Sequence, residues 1–155
     1  MPYTQIIRKQ IIKSDIGSVW RFMSSPKNLE RITPKWMIFK ITSKNEDQTM
    51  YPGMIISYKV TPLLNIPMKW VTEITHVNKH KYFIDGQKIG PYTLWHHEHK
   101  FQETDQGILM TDIITYIPPF KILGKIANII FIKKRVNKIF DYRHEVLEKI
   151  FNKNL

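Results

Sequence analysis

Cysteine is absent from this 155-residue chain. It therefore has no disulfide framework, no thiol nucleophile and no thiolate ligand for zinc, and a reducing compartment is permitted. Acidic residues are scarce: 13 Asp and Glu face 24 Lys and Arg, a net charge of +11. Such an excess attracts polyanionic surfaces but fixes neither fold nor function. No apolar run is long enough to cross a bilayer, and the greasiest stretch, 122–132, is broken by Lys125. The first fourteen residues alternate polar and apolar and lack the continuous apolar core of a secretory signal, so a cytoplasmic location is expected. Linkers rich in Pro, Gly or Ser, internal repeats and low-complexity tracts are also missing, and the length predicts a single domain over 1–155. What is present is ordinary for a folded protein: 43% hydrophobic residues, in a chain long enough to bury a core or a core with a cavity.

Periodicity sets the expected elements. Ile6 to Ile12 is rich in β-branched residues and reads as a strand. Ser14 or Asp15 then caps a short helix carrying Val19, Trp20, Phe22 and Met23, and Pro26 opens a second short helix through Leu29 and Ile32. From Trp36 the period becomes two, with Met37, Phe39 and Ile41 on one face. Further strands follow through Met54–Val60, around Trp70–His76, over Tyr82–Gln87, Thr93–Glu103 and Ile108–Ile117. Trp70, Thr72, Ile74 and His76 are expected to share one face. Thr104 to Gly107 makes a hairpin turn. From Phe120 to about Phe151, Ile122, Ile126, Ile129, Val136, Phe140, Leu147 and Phe151 recur at helical spacing, interrupted by Lys133 and Arg143. One strand, two small helices, six strands and a long helix make an α+β protein.

The residues carry a resemblance. The most specific part is Phe83-x-Asp85-x-Gln87-x-x-Gly90-Pro91-Tyr92-x-x-Trp95-x-His97-Glu98-His99-x-Phe101. It continues through Gly107, Met110-Thr111-Asp112, Tyr116, Pro118 and Phe140-x-Tyr142-Arg143. This pattern resembles the SRPBCC superfamily, the START and birch-pollen-allergen group, and within it the bacterial stand-alone proteins described as ligand-binding or polyketide cyclase/dehydrase-like. The resemblance implies a helix-grip fold, in which a curved antiparallel sheet of about seven strands wraps a long C-terminal helix, with two short helices after the first strand.

Candidate site residues follow from strand parity. In His96-His97-Glu98-His99, alternate side chains share a face, so His97 and His99 point one way with Trp95 and Phe101. Met110, Asp112, Ile114 and Tyr116 form the more apolar set on the next strand. Asp85 and Gln87 share parity with Phe83. Two histidines and Asp112 match a donor set for zinc or non-haem iron. Yet histidines two apart on one strand, with no cysteine and Asp112 at an unknown register, suit a hydrogen-bonded polar cluster better. No tightly bound metal and no cofactor are expected. Arg143 lies on the apolar stripe: either it turns inward to Asp85 or Asp112, or it keeps its head in water at the stripe's edge. Tyr58, Trp70, Phe83, Trp95, Phe101 and Tyr116 share one concave face and line either a ligand cavity or a filled core.

Together these readings predict binding or carriage of a hydrophobic small molecule, a lipid or an aromatic metabolite, contacted by Tyr58, Trp70, Phe83, Asp85, Gln87, Trp95, His97, His99, Asp112, Tyr116 and Arg143. No serine or threonine has the setting of an activated nucleophile, which weighs against an enzyme. The alternatives are a cofactor-free cyclase or dehydratase using His97, His99 and Asp112, and a peripheral protein whose basic last helix meets an anionic membrane. Residues 120–155 carry nine Lys and Arg against three acids. No helix-turn-helix, zinc-finger or RNP-type pattern accompanies the charge, so specific nucleic-acid binding is not expected.

Overall fold

The computed structural model describes residues 3–62, 66–119, 126–127 and 131–153. Its frame is one antiparallel sheet of seven strands: β1 (Thr4–Ile12), β2 (Lys40–Ile41), β3 (Ile55–Val60), β4 (Met68–Asn78), β5 (Tyr82–Ile89), β6 (Leu94–Thr104) and β7 (Gly107–Ile117). They lie in the order β1-β7-β6-β5-β4-β3-β2. The first strand thus pairs with the last, while β2 to β7 follow one another as a meander. Between β1 and β2 the chain forms α1 (Ile16–Met23) and two 3₁₀ turns, Pro26–Leu29 and Lys35–Met37. The C-terminal helix α2 (Lys133–Leu147) packs on the sheet and runs on into a π-helical turn, Glu148–Asn152. This is the helix-grip arrangement.

Local chemistry accounts for the elements. Asp15, with extended backbone, caps α1 by accepting from the Ser18 N–H at 2.9 Å, and the helix then buries Val19, Trp20 and Met23. β7 alternates without a break: Ile108, Met110, Asp112, Ile114 and Tyr116 are buried and their neighbours are not. α2 buries Val136, Phe140, Arg143 and Leu147, spaced three or four apart on one face. Trp20 meets Phe83 and Phe101 edge-on, closing one end of the core with α1.

Several expectations need correction. Trp36–Phe39 is not strand: Met37 ends a 3₁₀ turn, Ile38 adopts a left-handed φ of 46° and is 70% exposed, and only Lys40–Ile41 pairs with β3. The second short helix stops at Leu29, with Ile32 buried in the turn beyond. His76 does not share the inner face. A register shift between Ile74 and His76 inserts Thr75, so Val77 packs toward the core and His76 is exposed. Much of the long-helix stripe before Lys133, including Ile122 and Ile129, lies outside the described residues. Ile126 is exposed rather than packed.

Candidate functional site

The central strands place four polar side chains together on the inner face. His97 and His99 stand two apart on β6. β5 sets Asp85 directly opposite His97, and β7 sets Asp112 directly opposite His99. The closest contacts nevertheless run along the diagonals. His97 Nε2 is 2.8 Å from Asp112 Oδ1, and His99 Nε2 is 2.8 Å from Asp85 Oδ2. Longer contacts close the ring: His97 Nδ1 to Asp85 Oδ2 at 3.6 Å, and His99 Nδ1 to Asp112 Oδ1 at 3.1 Å, the latter off the hydrogen-bond axis. Arg143 reaches in from α2, its Nη1 3.7 Å from Asp112 Oδ1 and its guanidinium over the Phe140 ring. Of the two placements open for Arg143, the inward one is correct.

Packing holds these groups still. His99 is sandwiched between Phe83, at 4.0 Å between ring centroids, and His97, at 3.7 Å. Phe140 meets His97 edge-on from the helix side. Both imidazoles and Asp112 are buried, whereas the Asp85 side chain keeps 15% of its surface.

Burial opposes charge, and the contacts decide which charges survive. Burial alone would raise Asp112, but hydrogen bonds and charge from His97 and His99 outweigh it and hold its carboxyl well below the usual range. Asp85 is likewise lowered against its burial, by the His99 hydrogen bond and by His97, His99 and Arg143. Burial and the neighbouring His99 push His97 down to about 4. His99 goes the other way: contacts with Asp112 and Asp85 overcome burial and raise it. Two carboxylates thus face the Arg143 guanidinium and a His99 whose charged form is favoured, while His97 is held neutral. Ionised Asp112 only accepts, so His97 carries its proton on Nε2 and turns the Nδ1 lone pair toward Asp85.

The cluster forms one wall of a cavity of about 100 Å³ between the sheet and α2. The remaining walls combine the rings of Phe39, Tyr58, Trp70, Phe83, Tyr92, Trp95 and Phe140 with aliphatic side chains and two threonines, Thr33 and Thr72. Tyr58 and Trp70 stack at 5.9 Å, and Trp95 stands perpendicular to Trp70 at 5.4 Å. The Tyr58 hydroxyl pairs with Thr72 at 2.8 Å, and burial pushes the phenol up, so it stays neutral. Trp70 Nε1 is buried and has no hydrogen-bond partner among the described residues.

Most of the residues expected at a site do meet here. Tyr58, Trp70, Phe83, Asp85, Trp95, His97, His99 and Arg143 line the cavity, and three others do not. Asp112 sits behind the histidines. Tyr116 is fully buried against Tyr92 and Trp95. Gln87 bonds the backbone of Tyr92 through both ends of its amide, pinning the Gly90-Pro91 turn. Sequence reasoning did not assign Phe39, Tyr92 or Phe140 to the cavity. The -Gly90-Pro91-Tyr92- string was visible, but nothing in strand parity says that a residue in a turn folds back over the sheet.

No protein-family model matches the chain, and no curated protein matches it by sequence. Solved structures do match in shape. Ginseng major latex-like protein 151 from Panax ginseng superposes with a TM-score of 0.69 at 12% identity, covering 97% of this chain and 98% of that one. The fold is therefore the helix-grip fold. The di-domain ARO/CYC StfQ from the steffimycin biosynthetic pathway gives 0.74 at 8% identity, over 98% of this chain and 51% of that one. A protein of unknown function from Staphylococcus aureus gives 0.67 at 13% identity, covering 96% and 95%. Among the described residues, no helix of this helix-grip protein is long and apolar enough to span a membrane.

Proposed function

We propose that the protein binds and carries a small, mostly apolar molecule in the cavity between the sheet and α2, with an aromatic metabolite as the favoured class. The observation that carries this reading is the cavity's composition: walls of aromatic and aliphatic side chains, with the charged and imidazole groups gathered on the His97–His99–Asp85–Arg143 side. Ring faces supply apolar area and a preference for flat ligands, and a few buried polar groups fix orientation. Volume narrows the class. About 100 Å³ is somewhat less than the roughly 150 Å³ that admits benzene in an engineered cavity, so a single ring is closer in scale than a lipid chain. A helix-grip carrier of this kind would work in the cytoplasm.

One observation favours a second reading. Neutral His97, oriented by Asp112 at 2.8 Å, has the form of a general base held by a carboxylate. A cofactor-free cyclase or dehydratase would use that pair on a ligand in the same cavity, as the likeness to an ARO/CYC protein suggests by analogy of fold.

Native mass spectrometry of the purified protein, followed by organic extraction, tests the primary reading. A co-purifying small molecule that is released by Trp70→Ala supports it. Protein that carries no such molecule, and whose melting temperature is unmoved by a panel of single-ring compounds, argues against it. Turnover of a bound compound that disappears in folded His97→Ala and Asp112→Ala variants would favour the enzyme instead.

A further inference from the structure

The four-residue cluster has a division of labour that strand parity alone does not disclose. We infer that Asp85, His97 and His99 form a three-donor site for a divalent first-row metal ion of the zinc class, with Asp112 as the outer carboxylate that orients both imidazoles. One donor atom from each of Asp85, His97 and His99 lies within 4.8 Å of the others. Asp85 Oδ2 is 2.8 Å from His99 Nε2 and 3.6 Å from His97 Nδ1. Two donors at about 2.0–2.2 Å from one zinc, seen at a tetrahedral angle, stand roughly 3.3–3.6 Å apart. The observed spacings bracket that range.

The far sides of the rings carry the second half of the argument. His97 Nε2 and His99 Nδ1, the nitrogens turned away from Asp85, lie 2.8 and 3.1 Å from the same oxygen, Asp112 Oδ1. Metal-bound histidines characteristically give their other N–H to a carboxylate, which sets tautomer and ring orientation. Here Asp112 hydrogen-bonds His97 Nε2 and stands at ion-pair distance from His99 Nδ1, and Arg143, 3.7 Å away, offsets its charge. The third donor is not Asp112, which stands on the far side of both rings. The register of β5 on β6 brings Asp85 instead, opposite His97.

Three protein donors leave a coordination position open, as in catalytic rather than structural zinc sites. Asp85, His97 and His99 all line the aromatic cavity, so that position is on the ligand's side. An ion of charge +2 together with Arg143 outweighs the carboxylates of Asp85 and Asp112 by one positive charge. An anionic or lone-pair donor on the bound molecule would complete both charge and coordination. The site stands whether or not the cavity's ligand is the ring compound proposed above.

The test uses untagged full-length protein stripped with a chelator. Zn²⁺ is titrated against a chromophoric competitor, and Co²⁺ is added separately as a spectroscopic probe. The expected result is uptake of one equivalent, visible d–d bands of a low-coordinate cobalt site, and a raised melting temperature. Asp85→Ala and His99→Ala should abolish tight uptake, and Asp112→Asn should weaken it about 10–100-fold without changing the stoichiometry. The double variant His76→Gln, His144→Gln should bind as the unaltered chain does. Should a site variant fail to fold, paramagnetic shifts of the His97 and His99 ring protons in the cobalt-loaded unaltered chain give the same information. No stoichiometric uptake by the unaltered chain overturns the inference, as does uptake that survives in Asp85→Ala or leaves both ring signals unshifted.

Discussion

His97 hydrogen-bonds to Asp112, which lies diagonally across β7, and not to Asp85, which lies directly opposite it on β5. His99 makes the mirror choice and bonds Asp85 rather than its opposite number Asp112. The two strands flanking β6 are thereby tied together through a pair of imidazoles in contact, 3.7 Å apart between ring centroids. This crossing makes the cluster one unit, and its consequences can be measured.

Removal of Asp112 should be the most damaging polar change. Asp112→Ala leaves the buried Arg143 and His99 facing each other without their shared counter-charge. Breaking a buried charged set by deleting one partner costs about 3–5 kcal/mol. Asp85→Ala should cost clearly less, because the Asp85 side chain retains some contact with solvent. Urea unfolding of both variants checks the order, and equal losses would show that the cluster does not act as described.

Stability of the metal-free protein should peak near pH 6.5. The folded-state pKa of His97 is pushed down to about 4, so the unfolded chain takes up more protons as the pH falls from about 6.5 toward 4, and stability declines over that window. His99 is raised, so its contribution is fully present below about 6.5 and is lost as pH rises through its folded-state value. The lowered carboxyls of Asp85 and Asp112 add a further loss below about 4. Chemical denaturation across pH 3–9 checks this, and His97→Phe should flatten the limb between 6.5 and 4.

Phe83→Ala should cost about 3–5 kcal/mol, the usual range for losing a buried phenyl ring. Phe83 is 2% exposed and bridges the two halves of the interior, touching Trp20 and Phe101 on one side and stacking on His99 on the other. The informative readout is the His99 ring signal in NMR. It should broaden in Phe83→Ala, because one of the two rings that sandwich the imidazole is gone. Phe22, whose ring meets Phe151 outside this stack, serves as the comparison.

Gly90→Ala should loosen the turn before β6. A β-carbon at Gly90 would overlap the Gln87 side chain, which bonds Tyr92 N and O. The expected outcome is lower stability together with weaker ligand binding, since Tyr92 lines the cavity. Gln87→Ala should weaken binding through the same turn, and Gly90→Ala placed on that background should cost less than it does alone.

The outline of the fold was legible because its strands alternate and its turns are punctuated. β7 reads as a period of two from Ile108 to Tyr116, and the inward set, Asp112 included, is the one that is buried. Pairing β6 with β7 through a short hairpin was equally plain. What could not be read was register between strands that a single inserted residue can shift. Thr75 turns His76 outward without any mark in the composition. Asp85 looked like an accessory group because only the pairing of β5 with β6 sets it beside His97. The apparent alternation from Trp36 to Ile41 misled for a related reason. Met37 and Phe39 do pack inward, but Met37 does so from a 3₁₀ turn and Phe39 from just after the left-handed Ile38, not from a strand.

The most direct test of ligand binding in the cavity is a titration followed by the indole N–H signals of the four tryptophans. Trp70 and Trp95 line the cavity, whereas Trp20 packs against Phe83, Phe101 and His80 at the far end, and Trp36 lies under the Arg135 guanidinium. Single-ring aromatic compounds should move the Trp70 and Trp95 signals in a saturable manner and leave Trp20 in place. Signals that never move, or that drift together at all four positions, would contradict a ligand cavity between the sheet and α2.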